Sequence, residues 1–203
     1  MRLSSPGILA ILAWLALSGL ACRNAPPEAS GYAAKIESAR RAKDANFRAT
    51  NDPIPADKKD QFLPLAYFPV DPDYNVPGVL RPSTDSPTMV MPTSTGQQRQ
   101  MRRVGVLEFT LKGQPMKLTA FVEVGAPDLN RLFVPLTDMT SGTETYPAGR
   151  YMDLDRTPTG VYEMYFNLAY HPYCYFNETY DCPFPPAENR LKVPIHAGEK
   201  LKK

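Results

Sequence analysis

Charge of one sign is what this chain lacks most. Its 23 Lys and Arg stand against 21 Asp and Glu, for a formal net charge of +2, and both signs are scattered along the length. Without a basic stripe or an acidic run, nucleic acid is not an expected partner, nor is an anionic membrane surface. Long apolar runs are also missing. The one from Ile8 to Leu17 falls short of the roughly 20 residues that cross a bilayer as a helix. Cysteine is scarce, with three residues in all: Cys22, Cys174 and Cys182. No internal repeat, cofactor-binding motif or complete catalytic motif is present. No cofactor or metal is therefore expected, and neither a reaction nor a ligand follows from the sequence alone. Proline, in contrast, is abundant at 22 residues, which confines long helices to a few windows.

The N-terminus reads as a targeting segment. Arg2 supplies the early positive charge, Ile8–Leu17 the apolar stretch, and Ser18–Ala21 small or apolar residues ahead of Cys22. Leu20-Ala21-Cys22 also resembles a bacterial lipobox, in which the cysteine is acylated and becomes the first residue. The alternative is plain secretion with an unmodified Cys22, and an unpaired exposed thiol there would be a liability. Residues 1–21 are thus expected to be a signal peptide, and 22–31 a lipidated tether rich in proline. Residues 32–203 form a single domain of a size that buries a core. Arg23 follows the cysteine; by resemblance to Gram-negative lipoproteins, the absence of Asp there implies an outer-membrane lipoprotein facing the periplasm. The expected membrane partner is then reached through the lipid anchor.

Tyr32–Ala49 is the one long helical window. Tyr32, Ile36, Ala39 and Phe47 form its thin apolar side. Glu37 with Arg41, Arg40 with Asp44 and Asp44 with Arg48 are spaced to pair along it. From Leu65 onward the pattern is strand and turn. Tyr74–Leu80 is a short run, and a strand is expected at Thr88–Met91 inside the polar stretch Arg81–Met101. Arg103–Leu111 and Met116–Val124 alternate clearly, with Lys112-Gly113-Gln114 as the hairpin turn. Arg131–Leu136 and Val161–Phe166 complete the set. Short antiparallel strands with turns between them predict a mainly β fold, a sandwich or small barrel with one N-terminal helix.

Three dense stretches, TSGTETYPAGRY, FNLAYHPYC and CPFPPAENRLKVPIHAGEK, together resemble the bacterial and archaeal family catalogued as domain of unknown function 1684. The likeness extends to the helix at Glu37–Asp44 and to the strand RVGVLEF. That family carries no agreed activity, so the resemblance implies a location and domain limits more than any chemistry.

The last third holds the candidate site. Asp138, Glu144, Arg150, Asn167, Glu188 and Asn189 are polar residues set among apolar or turn-forming ones. Together they read as a polar pocket with an acid or base and an anchoring arginine. Singly they read as turn caps and buried partners for loop carbonyls. Tyr170, Tyr173 and Tyr175 offer flat faces with polar tips, an aromatic platform for a small-molecule, glycan or peptide ligand; core packing is the alternative. Cys174 and Cys182 are expected to pair as a disulfide in an oxidising compartment, worth about 2.5 kcal/mol on a chain-entropy argument. A zinc set of His171, Cys174, Cys182 and His196, or a Cys174 nucleophile with His196 as base, are the other readings. The leading expectation is a binding or interaction module with its site in the loops of 138–190. The rival is a cell-envelope hydrolase or transferase using the carboxylates there.

Overall fold

The computed structural model describes residues 27–126, 128 and 130–202. The expected signal segment, Cys22 and the start of the expected tether lie outside the described residues. Helix α1 (Pro27–Ala49) begins before Tyr32 and takes in the end of the stretch expected to be tether. Its packed face is Ile36, Arg40 and Phe47, one stripe at helical spacing. Ala39 is exposed, and Arg40 belongs to the stripe because its guanidinium finds partners there. It donates to the carbonyls of Phe68 at 3.0 Å and Asn167 at 3.1 Å and lies 4.5 Å over the Tyr67 ring. Asp44 accepts from the Leu65 N–H at 3.0 Å. Tertiary hydrogen bonds thus replace the ion pairs expected along the helix, where Arg40 keeps only a 3.8 Å contact with Glu37. Among the described residues no helix is long and apolar enough to cross a membrane.

The strands are β1 (Asn75–Pro82), β2 (Thr88–Pro92), β3 (Gln98–Leu111), β4 (Gln114–Glu123), β5 (Arg131–Leu136), β6 (Arg150–Asp155) and β7 (Val161–Tyr165). They make one antiparallel sheet in the order β6-β5-β4-β3-β1-β7, with β2 also paired to β3. The end strands β6 and β7 approach each other, so the sheet curls into a nearly closed barrel, one of the two forms expected. No strand is expected over β6, whose buried residues Arg150, Tyr151, Met152 and Leu154 do not alternate. The β3–β4 hairpin turns through Lys112 and Gly113, both at positive φ (49° and 80°), the conformation that matches strand twist in a two-residue turn. Leu107, Phe109 and Leu111 of β3 and Leu118, Ala120 and Val122 of β4 fill the barrel with Leu132, Val134, Leu136 and Met164.

Two irregularities shape the outside. The β3–β4 register slips between Arg103 and Gly105. A one-residue bulge sends the side chains before it to the opposite face. After the bulge Leu107 pairs with Leu118 inside the barrel; before it Arg103 pairs with Phe121, and Met101 with Glu123, on the outside. Gly105 is needed there, since a methyl would collide with the Arg81 carbonyl. The second irregularity lies between β4 and β5, which share one paired position, Phe121 with Phe133. Pro135 has no N–H with which to extend the ladder. Asn189 closes the seam instead. Its amide nitrogen donates to the carbonyls of Thr119 at 2.9 Å and Pro135 at 2.7 Å, and its oxygen accepts from the Thr119 N–H at 2.7 Å.

Candidate functional site

Arg150 is fully buried, with its side chain and that of Asp138 at 0% and 1% exposure. It opens β6 on the inner face, opposite Leu136, and is delivered there by Gly149, whose φ of +91° and closeness to the Leu136 carbonyl leave no room for a side chain. The guanidinium donates to Asp138 Oδ2 at 2.8 Å, to the carbonyls of Ile195 at 2.9 Å and Glu199 at 3.2 Å, and to that of Ala197. Asp138 also accepts from the Thr140 N–H and hydroxyl and from the Ile195 N–H. The pair therefore clamps the C-terminal segment against the end of the barrel, out of reach of solvent.

The other polar residues read from the sequence are dispersed. Asn167 bonds Tyr32, and both the N–H and carbonyl of Asp71, tying α1 and the loop before β1 to the barrel. Asn189 is the seam closure. Glu144 is half exposed and meets the half-exposed His196 at 3.0 Å. Glu188 is also partly exposed and holds Arg103 at 2.6 Å. Of the six, Asp138 and Arg150 touch directly; no common pocket collects the set.

A groove of about 700 Å³ lies elsewhere, on the outer face of β3–β6. The bulge in β3 puts Arg99 and Met101 on its floor, beside Glu123 of β4, Arg131 and Phe133 of β5 and Asp153 of β6. The end of α1 (Lys43, Asn46, Phe47) and the segment from Tyr170 to Pro183 form its walls. Of the expected platform, Tyr170 and Tyr173 line the groove. Tyr175 packs away from it on Phe62, Tyr146, His171 and Phe176. About half of the groove thus comes from outside residues 138–190, from the end of α1 and from β3–β5, where Arg99 and Met101 face outward because of the bulge.

The cations along the groove are all paired, and Arg99 is shared between two carboxylates. Arg99 reaches Glu123 and Asp181, each at 3.2 Å, and the Asp181 carbonyl at 2.6 Å. Arg131 lies 3.3 Å from Asp153, which also accepts from the Tyr170 hydroxyl at 2.7 Å. Lys43 meets the buried Glu199 at 2.5 Å and lies over the Tyr170 ring. Hydrogen bonds from Thr93, Thr95 and then Arg99 hold the Asp181 carboxyl below its ordinary range.

The two late cysteines are buried side by side beneath the wall. They are free thiols in this structure, and the Cys174 N–H donates to Cys182 Sγ at 3.2 Å. The hydrogen bond between the thiols lowers Cys174 to about 7 and pushes Cys182 up. The histidines do not join them. His171 is buried and accepts from the Tyr146 N–H through Nε2 at 3.3 Å, while His196 sits against Phe68. Among the described residues no three His, Cys, Asp or Glu side chains gather as a metal site.

The family described as "Protein of unknown function (DUF1684)" matches residues 60–200. The solution NMR structure of an uncharacterized protein from Haloarcula marismortui is similar, at 33% identity and a TM-score of 0.67, over 86% of this chain and 96% of that one. No curated protein matches the chain.

Proposed function

The chain belongs to the DUF1684 family of proteins of unknown function, and on that premise we propose that it is an envelope-tethered lipoprotein that binds a polar organic ligand in the outer groove. The observation that carries this reading is the pairing of the groove's charges. A general acid needs a carboxyl raised toward neutral pH; Asp181 is displaced the other way. Glu144 and Glu188, the carboxylates that the rival reading as a hydrolase or transferase would use, stand outside the groove. Rings and fixed polar groups around an open concavity suit recognition.

The test is native mass spectrometry of protein purified gently from its own cell envelope. A bound small molecule is expected on the wild type and not on Tyr173→Ala. Absence of any adduct, or turnover of envelope material that Glu144→Gln abolishes, would reverse the reading.

Anchoring through acylated Cys22 belongs to the same proposal, supported by the lipobox-like end of the signal segment. Cys22→Ser should move the protein from the membrane to the soluble periplasmic fraction; retention in the membrane would mean a different anchor. In that compartment Cys174 and Cys182 form a disulfide, for which their burial side by side speaks. Intact mass after alkylation without reductant should show neither cysteine modified, and two alkyl groups there would sink the pairing.

A further inference from the structure

Resting on the groove as a ligand site, we infer that its ligand is a neutral saccharide, bound by stacking on Tyr173 and by hydrogen bonds to the ion pairs beside it. Three features point to this class. The first is charge. Lys43, Arg99 and Arg131 each lie within 3.3 Å of a carboxylate oxygen of this chain. An anionic ligand would have to break one of these pairs, and a cationic one would meet an arginine beside every paired acid on the floor. Asp128, at the exposed rim, caps the Asn130 N–H through one carboxylate oxygen at 2.8 Å and lies outside these pairs. A ligand without net charge displaces none of them.

The second is the form of the surface. Tyr173 is 41% exposed, yet its ring is held edge-to-face by Phe47 at 6.2 Å and by Tyr180 at 5.2 Å. A fixed exposed ring suits the flat C–H face of a pyranose, since little order is lost on binding. Around it the Arg131–Asp153–Tyr170 chain and the Arg99–Asp181 pair set donors and acceptors side by side. Neighbouring sugar hydroxyls, each both donor and acceptor, match that alternation.

The third is what the groove cannot take easily. Its floor is the face of a sheet, not a free strand edge, so a peptide gains no added strand there. An acyl chain would strip water from the ion pairs without replacing their hydrogen bonds. The volume of about 700 Å³ is that of a small-molecule site, and its open form admits a short oligosaccharide.

The experiment is titration calorimetry of the full mature protein. The neutral probes are the tetrasaccharides of β-1,4-N-acetylglucosamine, β-1,4-glucose and α-1,4-glucose. Tetragalacturonate, a glucosamine tetramer and an uncharged tetrapeptide are the contrasting probes. At least one neutral sugar should bind, with affinity changing less than about twofold between roughly 0.05 and 0.5 M salt. Tyr173→Ala should weaken it about tenfold or more while the protein still melts cooperatively well above the assay temperature, and Tyr173→Phe should keep both binding and stability. Binding of a charged probe or the peptide alone overturns the saccharide assignment and leaves the groove reading standing. Sugar binding indifferent to Tyr173→Ala overturns the placement. If no probe binds, the saccharide inference falls; the groove reading falls with it only if the native mass spectrum is also empty.

Discussion

Removing the Arg150 side chain would leave the Asp138 carboxylate buried without its cation and three carbonyls of the C-terminal segment without their donor. Loss of one partner from such a pair costs about 3–5 kcal/mol. Arg150→Ala should therefore melt far below wild type, and Arg150→Lys should recover only part of the loss, because an ammonium lacks the planar fork. Equal melting of Arg150→Ala and wild type would contradict the clamp. His171 allows a second test at this scale. Burial first, then the positive charges of Arg150 and Lys43, lower its imidazole from 6.5 to about 3. Between those values the unfolded chain takes up a proton that the folded chain refuses, so this contribution to stability falls as pH falls from 6.5 toward 3. His171→Gln retains an acceptor for the Tyr146 N–H and removes that proton. Its unfolding free energy should decline less steeply from pH 6 to 4 than that of wild type, by up to about 1.4 kcal/mol per pH unit. Parallel urea denaturation series at several pH values would show it; identical slopes would mean that His171 titrates normally.

At the scale of elements, Asn189 carries the join between β4 and β5. Asn189→Ala leaves the Thr119 N–H and two carbonyls without partners, a cost of about 2–4 kcal/mol where buried groups are stranded. The Thr119 amide should then exchange with solvent faster than its β4 neighbours, and unchanged protection there would contradict the seam. Legibility differs from strand to strand for related reasons. β1, β2, β4 and β5 follow the alternation and turn signals of the chain closely, and the hairpin at Lys112-Gly113 is explicit. β6 is hidden because its two buried faces erase alternation and because an arginine opens it. The start of β3 is hidden by the bulge, which reverses the meaning of its alternation for Arg99 and Met101. In α1, Arg40 occupies a buried position that the apolar pattern assigns to no one. The carbonyls that accept its guanidinium come from Phe68 and Asn167, far away in sequence.

For the whole molecule, the density of polar residues and aromatics in the last third marks where the chain is most cross-connected. That density serves mainly the clamp, the seam and the tie to α1. The groove uses it for one wall, while its floor is built by β3–β6 and its other wall by α1. No local motif could announce such a site, because it exists only once the bulge, the curl of the sheet and the end of the helix are in place. Tyr170 and Tyr173 are its visible part; nothing in the sequence singles out Arg99, Arg131 or Asp153, which line it with them.

The central claim is one of place: function lies in the outer groove, and the buried polar residues are architecture. Amide chemical-shift mapping tests it most directly, with the ¹⁵N-labelled protein titrated with the small-molecule fraction of an extract of its own cells. The account predicts shifts confined to the groove, at Lys43, Arg99, Arg131, Asp153, Tyr173 and Asp181. Shifts centred instead on Glu144, His196 and Glu188, with the groove silent, would contradict it.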